Sequence, residues 1–108
     1  MRAMFRATLA GGLLVLGLAP PLQAAEQVVE AAGYKFVPAE VRIRPGDSVV
    51  WVNREKRVSH SVLFAATGEE SPRFFPDERW SRTFEQAGRF EYRCGPHPEM
   101  TGVVIVGD

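Results

Sequence analysis

Short apolar runs closed by Gly- or Pro-containing turns recur about every ten residues of this chain, and this pattern constrains the fold more than any other feature. Val41 and Ile43 alternate with two arginines, which places the apolar pair on one face of a strand. The sequence RPGD at 44–47 is then typical of a tight turn, because proline presets φ and glycine accepts positive φ. Many short strands joined by such turns predict an all-β sandwich or barrel.

The predicted strands cover residues 27–32, 41–43, 48–53, 59–65, 80–84, 90–94 and 103–106. Residues 66–79 show no regular period, and no element is assigned to them. Trp51 lies within the most apolar strand, so we expect it in the core. Phe74 and Phe75 precede Trp80 and are expected to close one end of that core.

The first 25 residues are typical of a secretory signal peptide rather than of a folded domain. Arg2 and Arg6 form a short positive segment, residues 7–19 are uncharged and apolar, and small residues precede a predicted cleavage after Ala24 or Ala25. An apolar run of 13 residues is too short to cross the ~30 Å hydrocarbon core. We therefore expect an exported, periplasmic protein whose mature domain covers residues 26–108 and has no membrane span.

Charge and size exclude other classes of protein. Without the leader, eleven basic residues stand against thirteen acidic ones, a net charge of −2, which provides no basic stripe for nucleic acid. About 83 residues form one small domain, expected to be a monomer, and leave no room for an enzyme of several lobes. The charged run 54–57 and the pair Glu69 and Glu70 are interpreted as solvated loop charges.

Four potential metal ligands dominate the chemistry of the mature chain: Cys94, His60, His97 and Met100. A lone cysteine in an exported protein cannot form an internal disulfide. Taken singly, each of these residues is more often a core or surface residue than a ligand. Taken together, one thiolate, two imidazoles and one thioether are the ligand set of a blue-copper electron-transfer site.

The placement of these residues along the chain favours a shared copper site. Cys94 ends a strand whose alternation points it inward, Met100 precedes the next strand, and His60 comes from a different strand. A soft thiolate and thioether favour copper, whereas a structural zinc site needs four strong ligands. A thiol hydrolase is disfavoured, because no base-orienting carboxylate or oxyanion hole occurs at an identifiable spacing. We predict one bound copper and no enzymatic activity.

The chain resembles the cupredoxins, the type 1 blue-copper family, and within it the amicyanin and plastocyanin-like branch. The resemblance covers YKFVP at 34–38, PGDSVVWVN at 45–53 and CGPHPEM at 94–100, whose two-residue gaps between ligand residues are similar to the amicyanin loop. It implies a Greek-key β-sandwich with copper near one end. It also implies the ligand set, with His60, Cys94 and His97 as equatorial ligands and Met100 as the weak axial ligand.

Two positions depart from the family pattern. Family members usually carry Asn directly after the first ligand histidine, where it helps to tie the two ligand segments together, but this chain has Ser61. The position after Cys94, often Thr or Ser, is Gly95. Ser61 can still donate one hydrogen bond through its hydroxyl, whereas Gly95 has no side chain to contribute.

The resulting functional hypothesis is a soluble periplasmic carrier of single electrons that cycles between Cu(II) and Cu(I). Pro96 and Pro98 fix their own φ and restrict the preceding residues, so the ligands are expected to move little between the two states. The alternative is a periplasmic copper-delivery or copper-buffering protein that uses the same ligands. The resemblance implies redox partner proteins, a c-type cytochrome or a periplasmic dehydrogenase, that dock at the apolar patch around His97.

Overall fold

The computed structural model describes residues 23–107, which form two four-stranded β-sheets enclosing one core. In chain order the strands are β1 (Glu26–Ala32), β2 (Lys35–Val37), β3 (Glu40–Ile43), β4 (Ser48–Asn53), β5 (Leu63–Phe64), β6 (Arg79–Thr83), β7 (Gly88–Arg93) and β8 (Thr101–Val106). These described residues contain no helix, so the predicted all-β sandwich is confirmed. The predicted signal peptide lies outside the described residues except for its last three positions.

The connections between strands are of the Greek-key type. One sheet has the order β2-β1-β4-β6 and the other the order β3-β8-β7-β5. Only β1–β2 and β7–β8 are hairpins within one sheet, and every other connection passes from one sheet to the other. The pairs β1–β4 and β3–β8 are parallel, and the remaining pairs are antiparallel. Within 23–107 there is no helix long and apolar enough to span a membrane.

Strand β4 forms the centre of the core. Its Trp51 is fully buried, as predicted, and meets the Tyr92 ring edge to face with 5.4 Å between centroids. An aromatic side chain buried in this way contributes about 1.5–3 kcal/mol relative to an exposed one. Phe74 also joins the core, but Phe75 is 54% exposed, so the expectation that both phenylalanines close the core holds for Phe74 alone.

Two strand predictions differ from the structure. Of the predicted strand 59–65, only the two residues of β5 form a regular strand. His60 instead forms an isolated bridge with Phe74. Phe74 lies within residues 66–79, to which no element was assigned. Strand β2 was not predicted, since a three-residue strand with one buried side chain, Phe36, is too short to show an alternating pattern.

The predicted turn at 44–47 is confirmed and closes one end of the sandwich. Gly46 has φ 95°, and the Asp47 N–H donates to the Arg44 carbonyl at 3.0 Å. The Asp47 carboxylate accepts the N–H groups of Ala25 at 2.9 Å and Arg44 at 3.0 Å. These donors stabilise the charged form and hold the pKa of Asp47 below its ordinary value.

The opposite end of β4 leads to the predicted ligand residues. Asn53 ends β4 and begins a connection that we call the 53–62 segment, which carries His60. The hairpin between β7 and β8 is closed by residues 94–100, the 94–100 loop, which carries the other three predicted ligands. The sandwich thus presents these two segments to each other across its two sheets.

Candidate metal centre

Three of the four predicted ligands converge at this end of the sandwich. Ligand atoms of His60, Cys94 and His97 all lie within 4.8 Å of one another. The Cys94 Sγ is 3.6 Å from His60 Nδ1 and 3.4 Å from His97 Nδ1. Both imidazoles therefore direct the same kind of nitrogen toward one sulfur.

Cys94 is held at the end of β7 by contacts on both of its sides. Its backbone N–H donates to the Met100 carbonyl at 2.8 Å, which closes the 94–100 loop. Its Sγ accepts the Ser61 N–H at 3.4 Å. The side chain is 0% exposed, so the thiol is shielded from solvent and from other thiols.

His60 is fixed by the backbone on which it sits. Its N–H and C=O pair with Phe74 at 3.1 and 2.9 Å. The buried Asn53 amide also links the segments that contain His60 and Phe74. Its Nδ2 donates to the carbonyls of Val58 at 2.7 Å and Phe74 at 3.0 Å. Asn53 Oδ1 also accepts the Glu55 N–H at 2.7 Å, so one side chain shapes the whole turn before His60.

Glu55 faces the side of the His60 ring that points away from Cys94. Its Oε2 lies 3.4 Å from His60 Nε2, a contact too long for a short hydrogen bond. The same oxygen accepts the Tyr34 N–H at 2.8 Å. Burial lowers the pKa of His60, an effect that the nearby Glu55 charge partly offsets. The lowered pKa favours the neutral form of the imidazole, which is the form that binds metal.

His97 lies nearer to the surface than His60. It is half-buried between the exposed Pro96 and Pro98, and the Tyr34 ring meets its ring edge to face with centroids 4.9 Å apart. Tyr34 is 51% exposed and has φ 59°, following Gly33 in the two-residue β1–β2 turn. This turn therefore places an aromatic ring beside His97.

Met100 is placed next to the cluster by its backbone and buried in the core. Its N–H donates to the His97 carbonyl at 2.9 Å and its carbonyl accepts the Cys94 N–H. The residue is 2% exposed and belongs to the same buried cluster as Cys94. Met100 directly precedes β8, at the end of the 94–100 loop.

Several residues that shape the site were not identified from the sequence: Asn53, Glu55, Tyr34 and Glu70. Glu70, interpreted as a solvated charge, instead accepts the Ser61 hydroxyl at 2.7 Å, whereas Glu69 remains exposed. Except for the hydrogen bonds within the turn that follows Asn53, these contacts join residues that are distant in the chain. No local sequence pattern predicts such contacts. An Asn at the end of an apolar strand is the single usable signal, because it favours a side-chain-stabilised turn.

The donor set fits copper. A buried thiol with two imidazole nitrogens around it matches the trigonal arrangement of blue-copper sites, and a buried thioether residue stands at the end of the same loop. Tetrahedral zinc would require a fourth strong ligand, and within 23–107 the cluster of histidine, cysteine and acidic ligands comprises three residues.

Residues 23–107 match the family described as copper binding proteins, plastocyanin/azurin family. The chain belongs to this family. Amicyanin of Paracoccus denitrificans is 39% identical over 84 residues, which cover 73% of this chain and 63% of that protein. Amicyanin-alpha of Methylorubrum extorquens is 34% identical over 109 residues, which cover 96% of this chain and 91% of the relative.

Solved structures agree with these relatives. A Cu(I) structure of a methionine-to-alanine variant of amicyanin matches with a TM-score of 0.71 at 34% identity, covering 76% of this chain and 82% of that chain. The predicted cupredoxin family, its amicyanin-like branch and the Greek-key sandwich are therefore confirmed. Family membership also confirms copper as the cofactor.

Proposed function

We propose that this cupredoxin carries single electrons on a copper ion. His60, Cys94 and His97 would hold that ion, and Met100 would be a fourth, weaker ligand. The observation that carries the proposal is the convergence of one Sγ and two Nδ1 atoms within 4.8 Å. These donors come from two segments that are far apart in the chain, with a separation of 34 positions between His60 and Cys94.

Bound copper supplies a one-electron couple between Cu(II) and Cu(I). The protein holds the donors in nearly fixed positions and excludes water from them. Cys94 and His60 are each 0% exposed, and the 94–100 loop is closed by backbone hydrogen bonds between Cys94, His97 and Met100. A rigid, dry site limits the rearrangement that accompanies each electron transfer.

The electron is proposed to pass through the exposed edge of His97. Of the two imidazoles, His60 is fully buried and His97 is half-buried. Tyr34, Pro96 and Pro98 surround His97 with exposed apolar surface that a redox partner can cover. The partner is proposed to be a c-type cytochrome or a periplasmic dehydrogenase, and the free protein to be a monomer.

The depth of the site favours a carrier over a copper-delivery or copper-buffering protein. Delivery requires that the metal reach an acceptor's ligands, whereas here the thiol and one imidazole have no exposed surface. A carrier should exchange electrons quickly and retain its copper. A delivery protein should lose copper to an acceptor on the same timescale.

Titration of the purified metal-free protein with Cu(II) tests this function. We expect one equivalent to produce an intense blue absorption and the narrow copper hyperfine splitting of a thiolate-bound site in paramagnetic resonance. Cys94→Ser is the control, because it preserves size but removes the thiolate, and it should stay pale. A colourless wild-type complex, or a blue Cys94→Ser protein, contradicts the proposed ligand set.

We also propose export to the periplasm with cleavage after Ala24. The Ala25 N–H lies 2.9 Å from Asp47 Oδ1, and the Ala25 carbonyl accepts the Ser48 N–H at 3.0 Å. Cleavage after Ala24 would convert that N–H into an ammonium paired with the Asp47 carboxylate, whereas cleavage after Ala25 would remove both contacts. The intact mass of protein from a periplasmic extract should correspond to a chain that begins at Ala25. A full-length chain in the cytoplasm would contradict export.

A further inference from the structure

The two positions that depart from the cupredoxin pattern are hydrogen-bonded to each other. The Gly95 N–H donates to the Ser61 Oγ at 3.0 Å, and the Ser61 N–H donates to the Cys94 Sγ at 3.4 Å. Ser61 follows one proposed ligand, and Gly95 follows another. Serine therefore ties the two ligand segments together although its side chain is shorter than that of asparagine.

Because the Ser61 hydroxyl accepts from Gly95, its own proton needs an acceptor elsewhere. Glu70 supplies it, with 2.7 Å between Ser61 Oγ and Glu70 Oε2. A short hydrogen bond to a carboxylate is stronger than one between neutral groups, and it fixes the rotation of the hydroxyl. The lone pairs of the hydroxyl are thereby directed toward the Gly95 N–H.

Backbone pairing holds Glu70 beside Ser61. Residues 69–71 run antiparallel to residues 62–64, with the Phe64 N–H donating to the Glu69 carbonyl at 2.8 Å and the Ser71 N–H to the Val62 carbonyl at 2.9 Å. The Ser71 hydroxyl also accepts the Val62 N–H at 2.9 Å. Glu70 is exposed as a residue, but its main chain is pinned on both sides, so its carboxylate reaches Ser61 at little cost in entropy.

The absence of a side chain at position 95 makes room for this carboxylate. A Cβ at Gly95 would overlap Glu70 Oε2 and lie 2.7 Å from Ser61 Oγ. Any other residue at 95 would therefore displace the carboxylate or the hydroxyl. Glu70, Ser61 and Gly95 form one interlocked group, which we call the Glu70 bridge.

We propose that Glu70 is a positioning residue of the metal centre, acting through Ser61 to hold the His60 and Cys94 segments in register. The role rests on the proposed function, because it concerns the same ligands. Glu70 is not itself placed among the ligands, since Ser61 stands between it and Cys94. The bridge takes over the task that the family resemblance assigns to an asparagine and a hydroxyl residue at positions 61 and 95.

The first arm of the test needs no metal. A double-mutant cycle with Glu70→Ala and Ser61→Ala, followed by urea denaturation of the metal-free proteins, measures whether the two side chains interact. We expect Ser61→Ala to lower the folding equilibrium constant by a several-fold smaller factor in the Glu70→Ala background than in wild type. Glu69→Ala is the matched control, because it removes the same charge from the neighbouring residue and should be additive with Ser61→Ala.

The second arm compares copper-loaded wild type, Glu70→Ala, Glu70→Gln and Glu69→Ala. Loss of one net hydrogen bond at the site should speed copper release to a chelator by about fivefold in Glu70→Ala and alter its Cu(II) visible and paramagnetic resonance spectra. Glu70→Gln keeps an oxygen that can accept the Ser61 hydroxyl, so it should restore both properties. Glu69→Ala should resemble wild type.

The outcomes separate the two proposals. Additive effects in the metal-free cycle overturn the bridge itself. Coupling in the cycle with wild-type spectra and copper release in Glu70→Ala overturns the positioning role and leaves a structural contact only. A wild-type protein that fails to turn blue overturns the proposed function, whatever the cycle shows. Coupling, altered spectra and rescue by Glu70→Gln together support the proposal.

Discussion

The two segments that carry the proposed ligands are held in place by different means. The 53–62 segment is irregular, and its His60 is fixed by hydrogen bonds to Phe74, by the Asn53 side chain and by a 3.4 Å contact with Glu55. The 94–100 loop spans seven residues between two paired strands, contains two prolines and closes on itself through its own backbone. One segment is shaped by distant residues, and the other largely by its own sequence.

This difference predicts which substitutions should affect each segment most. Loss of a buried side-chain hydrogen bond should matter most in the 53–62 segment, since no regular strand supports that backbone. Substitutions in the 94–100 loop should alter the electronic properties of the site more than the stability of the fold. The experiments below test that contrast.

The largest expected effect follows from Asn53→Ala. The substitution removes hydrogen bonds to the carbonyls of Val58 and Phe74 and from the Glu55 N–H. The Phe74 carbonyl keeps the His60 N–H, but the Val58 carbonyl and the Glu55 N–H lose the Asn53 side chain as their partner. We expect the metal-free protein to lose about 3 kcal/mol or more of its free energy of unfolding, measured in urea. Arg54→Ala is the neighbouring control, because it removes an exposed ion pair with Glu30 and should cost less than about 1 kcal/mol. Equal costs for the two variants would contradict the role assigned to Asn53.

A smaller and different effect is expected from Pro96→Ala in the 94–100 loop. Proline has no N–H, so alanine at this position adds a donor close to Cys94 Sγ. A new N–H···S bond of about 1 kcal/mol withdraws charge from the thiolate and should raise the reduction potential by about 40 mV. Protein voltammetry measures this shift, with Pro98→Ala as a control that loosens the loop farther from the sulfur. An unchanged or lowered potential would argue against the added bond.

The smallest effect is the acid sensitivity of the metal-free fold due to His60. Its pKa is lowered in the folded protein, so as the pH falls the unfolded chain binds the proton first, near its ordinary pKa of about 6.5. The free energy of unfolding must therefore decrease as the pH decreases, and His60 contributes at most about 0.7 kcal/mol to this loss between pH 7 and pH 6. Urea denaturation at the two pH values should show a steeper loss in wild type than in His60→Gln. Equal slopes would mean that His60 is not shielded as its burial indicates.

The same contrast explains what the sequence could predict. The spacing of Cys94, His97 and Met100 is local, and the strands on either side fix the loop at both ends, so this half of the proposed site could be predicted from the sequence. The core position of Trp51 and the turn at 44–47 follow from alternation and from Pro and Gly, which are also local signals. Most of the eight strands were found for the same reason.

The remaining features depend on contacts between distant residues. His60 was placed on a strand because residues 59–65 are rich in apolar side chains, yet its pairing with Phe74 leaves β5 only two residues long. Glu70 carries no local signal that separates it from Glu69, since its role depends on which residue faces Ser61 after the chain has folded. From their charge alone, both glutamates were interpreted as solvated loop residues.

The overlap at position 95 has a consequence for how such a chain can change over generations. While Glu70 occupies the space, gaining a side chain after Cys94 is penalised, and while Gly95 is present, the loss of Glu70 leaves the Ser61 hydroxyl without an acceptor. The two sites are therefore epistatic, since a side chain at 95 and a carboxylate at 70 compete for the same space. Related chains should seldom combine an acidic residue at the position of Glu70 with a side chain at the position of Gly95, which a comparison of their sequences can check.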